Sequence, residues 1–342
     1  MKAHAQVSRS GLLEALRRFR GRRVLVLADL VADEFVFGRA QRISREAPVL
    51  ILEHDGAELR LGGGANAAHN LKTLGGRPLP HGVVGADEHG RRLLALLRQR
   101  GIATAGVRRE RSYVTPVKSR ILAGGTHAVK QQIVRIDRAT RLPGGSLAPA
   151  TLARALRQWR GPLDGLLVSD YGFGLLTPAL VEAAIACARR LRVPVTVDSR
   201  YALTRFKGMT AVTPNEPEVE AALGISIGHD REMLEWAGRT LLRRLAAAAV
   251  LITRGSDGMA LFEPGRAPLH LPIWGTDEVA DVTGAGDTVI ATFTLALSAG
   301  ATPEQAARLA NYAGGIVVMK RGTATVSAAE LRAAVERDPA LA

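Results

Sequence analysis

The chain has 342 residues, 47% of them hydrophobic, and a formal net charge of +14. That length can form one large α/β domain or two smaller ones. No apolar stretch approaches the roughly 18 residues that a membrane span needs, which excludes a spanning helix. Cys187 is the only cysteine, which excludes an internal disulfide and a multi-cysteine metal site, and we predict that it packs in a helix.

The positive charge raises the hypothesis of a nucleic-acid partner. Only six of the 46 basic residues are lysine, and the arginines are spread along the whole chain. No basic stretch alternates with aromatic residues, as platforms for single strands do. We therefore predict a solvated arginine-rich surface and no nucleic-acid partner, although such a field also attracts phosphorylated small molecules.

The N-terminal 23 residues are broken by charges and lack a signal-type apolar segment, which predicts a short amphipathic helix in a cytoplasmic protein. Short apolar runs then alternate with helical patterns, which predicts a parallel sheet with helices on both faces. The runs are RRVLVLAD (22–29), DGLLVSD (164–170), VPVTVDS (193–199), TAVTPNE (210–216) and AVLITRGS (249–256). Ligands of such sheets bind at the carboxyl ends of the strands.

Two segments, 34–60 and 111–136, have little helical period and predict a small additional β-sheet. Residues 258–273 predict a hairpin with a Pro-Gly turn. Residues 287–298 and 303–319 predict helices. The expected organisation is one domain with an appended β element.

The familiar nucleotide motifs are missing, since the chain has neither GxxxxGK[ST] nor a dinucleotide fingerprint after its first strand. Three other stretches carry chemistry. In LGGGANAAHNLKTLGG (61–76), the glycines allow a ligand close to the backbone, and the Asn66 amide offers a donor and an acceptor to sugar hydroxyls. The alternative for this stretch is a flexible loop that caps a helix.

The second stretch is TPNEPEVEAALG (213–224), in which Asn215 and Glu218 would lie on one helix face. An amide and a carboxylate at a strand end could hold Mg²⁺ through its water shell. Helix capping is the alternative role for the same two side chains.

The third stretch is DVTGAGDTVIATF (281–293). Backbone amides of Gly284, Ala285 and Gly286 at a helix start would form a cradle for an anion. Asp287, at its edge, could accept the proton of an attacking hydroxyl during phosphoryl transfer. A tight turn with a capping acid is the alternative.

Together, the three stretches resemble the signatures of the ribokinase-like (phosphofructokinase-B) family of sugar kinases over about residues 22–325. The resemblance implies a three-layer α/β/α core with a mainly parallel sheet and a small β-sheet lid. It implies a kinase domain at 22–330 with a lid from 34–60 and 111–136, flanked by a helical extension (1–21) and a C-terminal tail (331–342). It also implies ATP, Mg²⁺ and in some members a monovalent cation as cofactors, and a homodimer through the lid.

Within the family, LADLVADEFVFG (27–38), QRISREAPVLIL (41–52) and VKQQIVRID (129–137) resemble the D-glycero-β-D-manno-heptose-7-phosphate kinases. Those enzymes phosphorylate the anomeric C1 hydroxyl with ATP, on the way to ADP-heptose for lipopolysaccharide. Many are fused to a C-terminal adenylyltransferase. Here no HxGH signature of such a domain occurs, so we expect the kinase domain alone.

The resemblance implies roles for individual residues. The base would be Asp287, and Gly284, Ala285 and Gly286 would bind the transferring phosphoryl group. Asn215 and Glu218 would organise Mg²⁺ and the phosphates, and the sugar would bind at Asp33, Gly63, Gly64 and Asn66. Lys118 and Arg120 would contact the 7-phosphate, and Asp170 would line the site. Adenine would lie near 254–258, 274–281 and Asn311, with Thr253, Gly255 and Gly258 in the same nucleotide site.

Three residues depart from the heptose kinases. Ala28 stands where glycine is usual, Arg45 replaces a proline, and Phe173 replaces a lysine near the phosphates. The last change leaves other acceptors open, such as ribose, a fructose phosphate or a nucleoside. A non-catalytic sugar- or nucleotide-binding protein is a further alternative, which the intact Asp287 disfavours.

Overall fold

The computed structural model describes residues 7–124, 130–138, 140–275 and 281–341. Within them, nine strands form one sheet in the order β13-β12-β11-β10-β9-β8-β1-β4-β5. Its strands are β1 (Arg23–Ala28), β4 (Arg77–Gly85), β5 (Val107–Glu110), β8 (Gly165–Asp170), β9 (Val195–Ser199), β10 (Ala211–Val212), β11 (Ala249–Thr253), β12 (Met259–Phe262) and β13 (Leu269–Leu271). The described pairs from β5 to β11 are parallel, and β12 runs antiparallel to both of its neighbours, β11 and β13.

Helices cover both faces of this sheet. They are α1 (Arg9–Arg17), α2 (Gly64–Thr73), α3 (Glu88–Gln99), α4 (Ala148–Gln158), α5 (Pro178–Leu191), α6 (Glu216–Leu223), α7 (Arg231–Leu245), α8 (Ala285–Ser298), α9 (Pro303–Val318) and α10 (Ala328–Arg337). The predicted three-layer α/β/α class is confirmed.

The strand β1 shows how the two cores form. Its side chains alternate, so that Val24 and Val26 pack with α1–α3 and α8–α10, while Leu25 and Leu27 pack with α4–α7. A strand buried on both faces is a continuous apolar run, which is the pattern that predicted it.

The predicted additional sheet is present. It consists of β2 (Leu30–Ile43), β3 (Leu50–Gly63), β6 (Val117–Gly124) and β7 (Gln131–Arg138), in the order β3-β2-β6-β7. Residues 125–129 of the predicted lid lie outside the described residues. We call these four strands the lid.

Helices at both ends of the chain pack on the kinase domain predicted at 22–330. Helix α1 buries Leu12 and Leu16 against the main domain, and α10 runs across the boundary expected at residue 330 and buries Leu331 and Val335. The helices α1 and α10 also pack on each other. An amphipathic period continues into both ends, so each supplies apolar side chains to the core.

Candidate active site

The carboxylate of Asp287 lies at the start of α8 and is only 4% exposed. The helix is capped by Gly284, whose φ of 80° is in the left-handed region. A Cβ at Gly284 would stand 2.6 Å from the Asn66 Nδ2. The turn therefore requires glycine, because any side chain there would displace the amide next to the carboxylate.

Two side chains donate hydrogen bonds to Asp287. The Asn66 Nδ2 donates to Oδ2 at 3.0 Å, and the Tyr171 hydroxyl donates to Oδ1 at 2.8 Å. Burial raises the pKa of Asp287 to about 6, and the two hydrogen bonds and the Lys118 charge limit the rise. A carboxylate with this pKa is ionised at neutral pH and basic enough to accept a proton.

The amides of the predicted cradle are not equivalent. The Ala285 amide donates to the Val282 carbonyl at 3.2 Å, within the turn that precedes α8. The amides of Gly286 and Asp287 belong to the first turn of a helix, where backbone N–H groups lack an intrahelical acceptor. Of the three amides predicted to form the cradle, the one at Ala285 therefore already has an acceptor within the protein.

The predicted sugar-binding residues lie where β2 begins, where β3 ends and in the first turn of α2. Asp33 is 4% exposed and pairs across the strands with Arg60, next to Gly62 and Gly63. Its Oδ2 accepts from the Thr323 hydroxyl at 2.8 Å, and its Oδ1 has no hydrogen-bond partner within the described residues. This buried oxygen is available to a ligand hydroxyl.

Gly64 is the first residue of α2 and lies two residues before Asn66 in the sequence. A Cβ on Gly64 would stand 2.1 Å from the Ala28 Cβ. The departure at Ala28 therefore fits because its methyl group uses the space that Gly64 leaves open.

Two cations reach the site from β6 of the lid. The Lys118 Nζ lies 4.7 Å from the centre of the Tyr171 ring, and burial lowers the pKa of Lys118. Arg120 is 7% exposed, lies 3.7 Å from the Asp33 Oδ1, and has no hydrogen-bond partner at Nε and Nη1. Arg120 lines an open cavity of about 1000 Å³ that also contains Arg60 and Arg321.

Asn215 and Glu218 form a capping box at the start of α6. The Asn215 Oδ1 accepts from the Glu218 amide at 2.8 Å, and the Glu218 Oε2 accepts from the Asn215 amide at 3.0 Å. Burial raises the pKa of Glu218. The capping alternative is therefore correct for the Asn215 Oδ1 and the Glu218 Oε2, whereas the Glu218 Oε1 lies outside the box.

A small cavity of about 210 Å³ brings these elements together. It is lined by strand-end acids, by both halves of the capping box and by the helix start: Asp170, Tyr171, Asp198, Arg200, Thr213, Asn215, Glu218, Thr253, Val282, Gly284, Gly286 and Asp287. Asp170 lies at its edge, but its Oδ1 accepts from the Gly172 amide and its Oδ2 from the Ser199 hydroxyl. Both oxygens of Asp170 therefore hold the local backbone and side chains.

The predicted nucleotide residues line a neighbouring cavity of about 170 Å³. Thr253, Gly255, Gly258 and Asn311 all contribute to its wall, with apolar side chains such as Val289. The Asn311 Nδ2 donates to the Pro272 carbonyl at 2.8 Å. Residues 276–280 of the predicted 274–281 loop lie outside the described residues.

The sequence analysis missed Tyr171, Asp29, Asp198 and Arg200. Asp29, which follows β1, accepts at its Oδ2 from the amides of Tyr171 and Phe173. Burial raises the pKa of Asp198 well above its usual range, and the charges of Glu218 and Asp287 add to the rise. The position of these four missed residues at or next to the carboxyl ends of β1, β8 and β9 was the available signal.

A carbohydrate-kinase family model, "pfkB family carbohydrate kinase", matches residues 31–330. The chain belongs to this family. Membership makes it a phosphotransferase of the class that acts on a sugar hydroxyl. The capping box and the helix start line one cavity, and Asn66 of the glycine-rich stretch donates to Asp287 at its wall.

Two bacterial relatives cover most of the chain. "Bifunctional protein HldE" of Pelobacter propionicus is 41% identical over 334 residues, which are 96% of this chain and 66% of that protein. The protein of the same name from Geobacter metallireducens is 44% identical over 308 residues, 90% of this chain and 61% of that protein. The chain thus spans less than two thirds of the length of these relatives.

Solved structures of low sequence identity share the fold. The Arabidopsis thaliana ribokinase complexed with ribose and ATP superposes with a TM-score of 0.72 at 19% identity, over 93% of this chain and all of that one. Escherichia coli phosphofructokinase-2 with substrates and products gives 0.72 at 18% identity, over 92% and 98% of the two chains.

The other two departures lie in different surroundings. The Phe173 ring stacks on Tyr171 at 6.5 Å with an interplanar angle of 10°. Phe173 therefore packs on Tyr171 at a position where a lysine would bring a positive charge. Arg45 is exposed in the connection between β2 and β3.

Proposed function

We propose that the chain uses ATP to phosphorylate the C1 hydroxyl of D-glycero-β-D-manno-heptose 7-phosphate, in the cytoplasm. The observation that carries the chemistry is the buried Asp287 carboxylate, held by two donors at a helix start. The acceptor rests on the resemblance of the first strand and lid to heptose 7-phosphate kinases. The longer bacterial relatives support it through their identity over nine tenths or more of the chain.

In this mechanism, Asp287 accepts the proton of the C1 hydroxyl. The freed oxygen attacks the γ-phosphorus of ATP, a new P–O bond forms, the bond to the bridging oxygen breaks, and ADP leaves. The amides of Gly286 and Asp287 bind the oxygens of the transferring phosphoryl group, where negative charge accumulates. The nucleotide base occupies the cavity beside Val289 and Asn311, which offers apolar walls and backbone groups.

The donor set fits a magnesium ion bound through water. No group of three or more acidic, histidine or cysteine side chains is arranged for direct metal ligation within the described residues. Glu218 keeps one oxygen outside the capping box, and Asn215 is next to it. When bound, the cation neutralises phosphate charge. A monovalent cation is part of the proposal as an optional cofactor, tested by replacing potassium in the assay.

The acceptor's own phosphate is assigned to the lid. Arg120 is a buried cation with two nitrogens that lack a partner, which is costly unless a ligand supplies one. Arg60 and Arg321 line the same cavity, so an anion there would meet several positive charges. Lys118 lies closer to the base, above Tyr171, and is assigned to the phosphoryl end.

An acceptor panel with coupled ADP detection tests the proposed function. The panel contains heptose 7-phosphate, the same heptose without phosphate, ribose, fructose 1- and 6-phosphates and a nucleoside. We expect the highest kcat/KM for heptose 7-phosphate. A higher value for another acceptor would replace the sugar but keep the kinase chemistry, and no ADP above background with any acceptor would favour the non-catalytic alternative.

The lid also supports the proposal of a homodimer. It exposes large apolar side chains on β7, at the end of β2 and at or just before the start of β3, namely Ile43, Val49, Leu50, Ile133, Val134 and Ile136. A second copy would remove this surface from water. We expect a dimer by light scattering at micromolar concentration and a monomer for Ile133→Asp with Ile136→Asp. As a control, Leu147→Asp, at an exposed site outside the lid, should leave the mass unchanged; a monomeric wild type would contradict the proposal.

A further inference from the structure

The base has a second donor that the sequence motifs do not contain. Tyr171 follows β8, and its hydroxyl donates to the Asp287 Oδ1 at 2.8 Å. Asn66, on α2, donates to the Oδ2 at 3.0 Å. Each oxygen of the carboxylate therefore has one donor, and the two donors come from different elements.

The position of the Tyr171 ring is set by a buried acid beneath it. The Asp29 Oδ2 accepts from the Tyr171 amide at 2.9 Å and from the Phe173 amide at 3.1 Å. Asp29 is 3% exposed, and the Phe173 ring stacks parallel to Tyr171. Two fixed amides and one stacked ring leave the hydroxyl little freedom to turn away from the carboxylate.

Two cations lie on the same ring. The Lys118 Nζ is 4.7 Å from the ring centre and the Arg200 guanidinium carbon is 5.0 Å from it. Both distances are within the range of cation–π attraction. Lys118 comes from the lid and Arg200 follows β9, so the ring joins the base to a positive charge from each part of the fold.

We propose that Tyr171 is a positioning residue for phosphoryl transfer: its hydroxyl orients the Asp287 carboxylate and favours its ionised form, and its ring holds Lys118 over the site. The proposal rests on the assignment of Asp287 as the base. A hydrogen bond to the charged form of a carboxyl lowers its pKa, so loss of the hydroxyl makes the base more difficult to ionise. It also frees one carboxylate oxygen from its orientation.

The other charges around Asp287 do not depend on the hydroxyl. Lys118 and Arg200 are positive and Asp33 is negative. Asp198 also lies near, and burial raises its pKa well above its usual range, which favours its protonated form. The Asn66 donor is neutral. Tyr171→Phe leaves all of them in place and keeps the ring, so it isolates the contribution of a single hydroxyl group.

The first test is the pH dependence of kcat/KM for Tyr171→Phe. We expect its acid limb to move to higher pH by roughly one unit, given the strength of hydrogen bonds to charged groups. Turnover should fall most at pH 6 and recover partly at pH 8, with the KM for ATP unchanged. An acid limb at the wild-type pH, in an active folded variant, would overturn the proposal.

A readout without turnover separates this proposal from the assignment of the substrate. The carboxyl carbon of Asp287, assigned in ¹³C NMR by its loss in Asp287→Asn, should titrate at higher pH in Tyr171→Phe than in the wild type. The same titration midpoint in both proteins would contradict the proposal even if the acceptor panel succeeds. A shifted midpoint supports it whichever sugar the panel selects.

Two further variants distinguish the hydroxyl from the ring. Phe173→Leu removes the stacked neighbour but keeps the Tyr171 hydroxyl and its two fixed amides, so it should move the titration midpoint of Asp287 less than Tyr171→Phe does. Tyr171→Leu removes the ring as well and should lower kcat by a further factor that high pH does not restore, because Lys118 loses its support. Equal kcat at pH 8 for Tyr171→Phe and Tyr171→Leu would contradict the role of the ring.

Discussion

Asn66 donates its side-chain amide to the Asp287 Oδ2 at 3.0 Å, across 221 residues of sequence. The amide is itself oriented, because the Asn70 Nδ2 donates to the Asn66 Oδ1 at 3.3 Å. The glycine-rich stretch before α2 and the helix start of α8 therefore meet at one carboxylate.

Asp287→Asn should lower kcat by roughly 10²–10⁴, which is the usual contribution of a general base. The amide keeps the size of the side chain but accepts protons poorly. Turnover is measured with the best acceptor of the panel. The matched control is Asp230→Asn at the N-cap of α7, which should keep both activity and stability because asparagine caps as well as aspartate. Wild-type turnover in folded Asp287→Asn would remove the assignment of the base.

The activity of the wild type should fall as the pH drops through about 6. Burial raises the pKa of Asp287 to about 6, and only the ionised carboxylate accepts the proton of the hydroxyl. We expect kcat/KM to decrease about tenfold per pH unit below that value and to level off above pH 7. A constant kcat/KM between pH 5 and pH 8 would contradict this titration.

Asp29→Asn should change how the free energy of unfolding depends on pH. Burial raises the pKa of Asp29 from 3.8 to about 7, so the folded protein holds this proton more tightly than the unfolded chain. The group therefore favours the folded state at low pH, and this contribution declines as the pH rises from about 4 through about 7. Between pH 5 and pH 8 the decline amounts to roughly 3 kcal/mol at most.

Urea denaturation of wild type and Asp29→Asn at several pH values measures this contribution. Asparagine keeps an acceptor oxygen for the two amides but does not titrate. We expect the difference in unfolding free energy, wild type minus variant, to decrease as the pH rises. Parallel curves from pH 5 to pH 8 would show that Asp29 does not titrate in this range.

Gly64→Ala should destabilise the protein by roughly 1–3 kcal/mol, as overpacked core positions do. The new Cβ would stand 2.1 Å from the Ala28 Cβ. Adding Ala28→Gly removes that methyl group and should recover part of the loss. The recovery is partial because the Asp29 carbonyl would remain 3.0 Å from the new atom. Additive effects of the two substitutions in a double-mutant cycle would contradict the contact.

Arg120→Met should raise the KM for heptose 7-phosphate by roughly 10–100-fold, because hydrogen bonds between charged partners are strong. Methionine fills similar space without the charge. The KM for ATP should remain unchanged, and Arg42→Gln, at the exposed outer end of β2, should affect neither constant. An unchanged KM for the phosphorylated acceptor would exclude Arg120 from binding its phosphate.

The main strands and the three functional stretches could be predicted because each has a local cause. A strand covered on both faces must be apolar throughout, as Leu25 and Val26 illustrate, and the hairpin at 258–273 has its turn residues between two apolar runs. The two ends of the chain were less predictable. Their helices alone do not reveal that α1 and α10 pack on each other.

The donors around the base could not be predicted in the same way. Tyr171 lies outside the three functional stretches, 116 residues from Asp287, and nothing local indicates where its hydroxyl points. Its position depends on Asp29, which follows β1, a strand adjacent to β8 in the sheet but distant from it in sequence. The adjacency of β1 and β8 is a result of folding.

By itself, the sequence determined which residue types are available for chemistry: two flexible glycine turns, a capping pair and an acid at a helix start. Backbone conformation and hydrophobic periodicity are properties of short segments, and short segments are visible in sequence. Only the tertiary structure decided the environment of Asp287. Burial raises its pKa, and donors from α2 and from the loop after β8 limit that rise, because desolvation and hydrogen bonding depend on which segments the fold brings together.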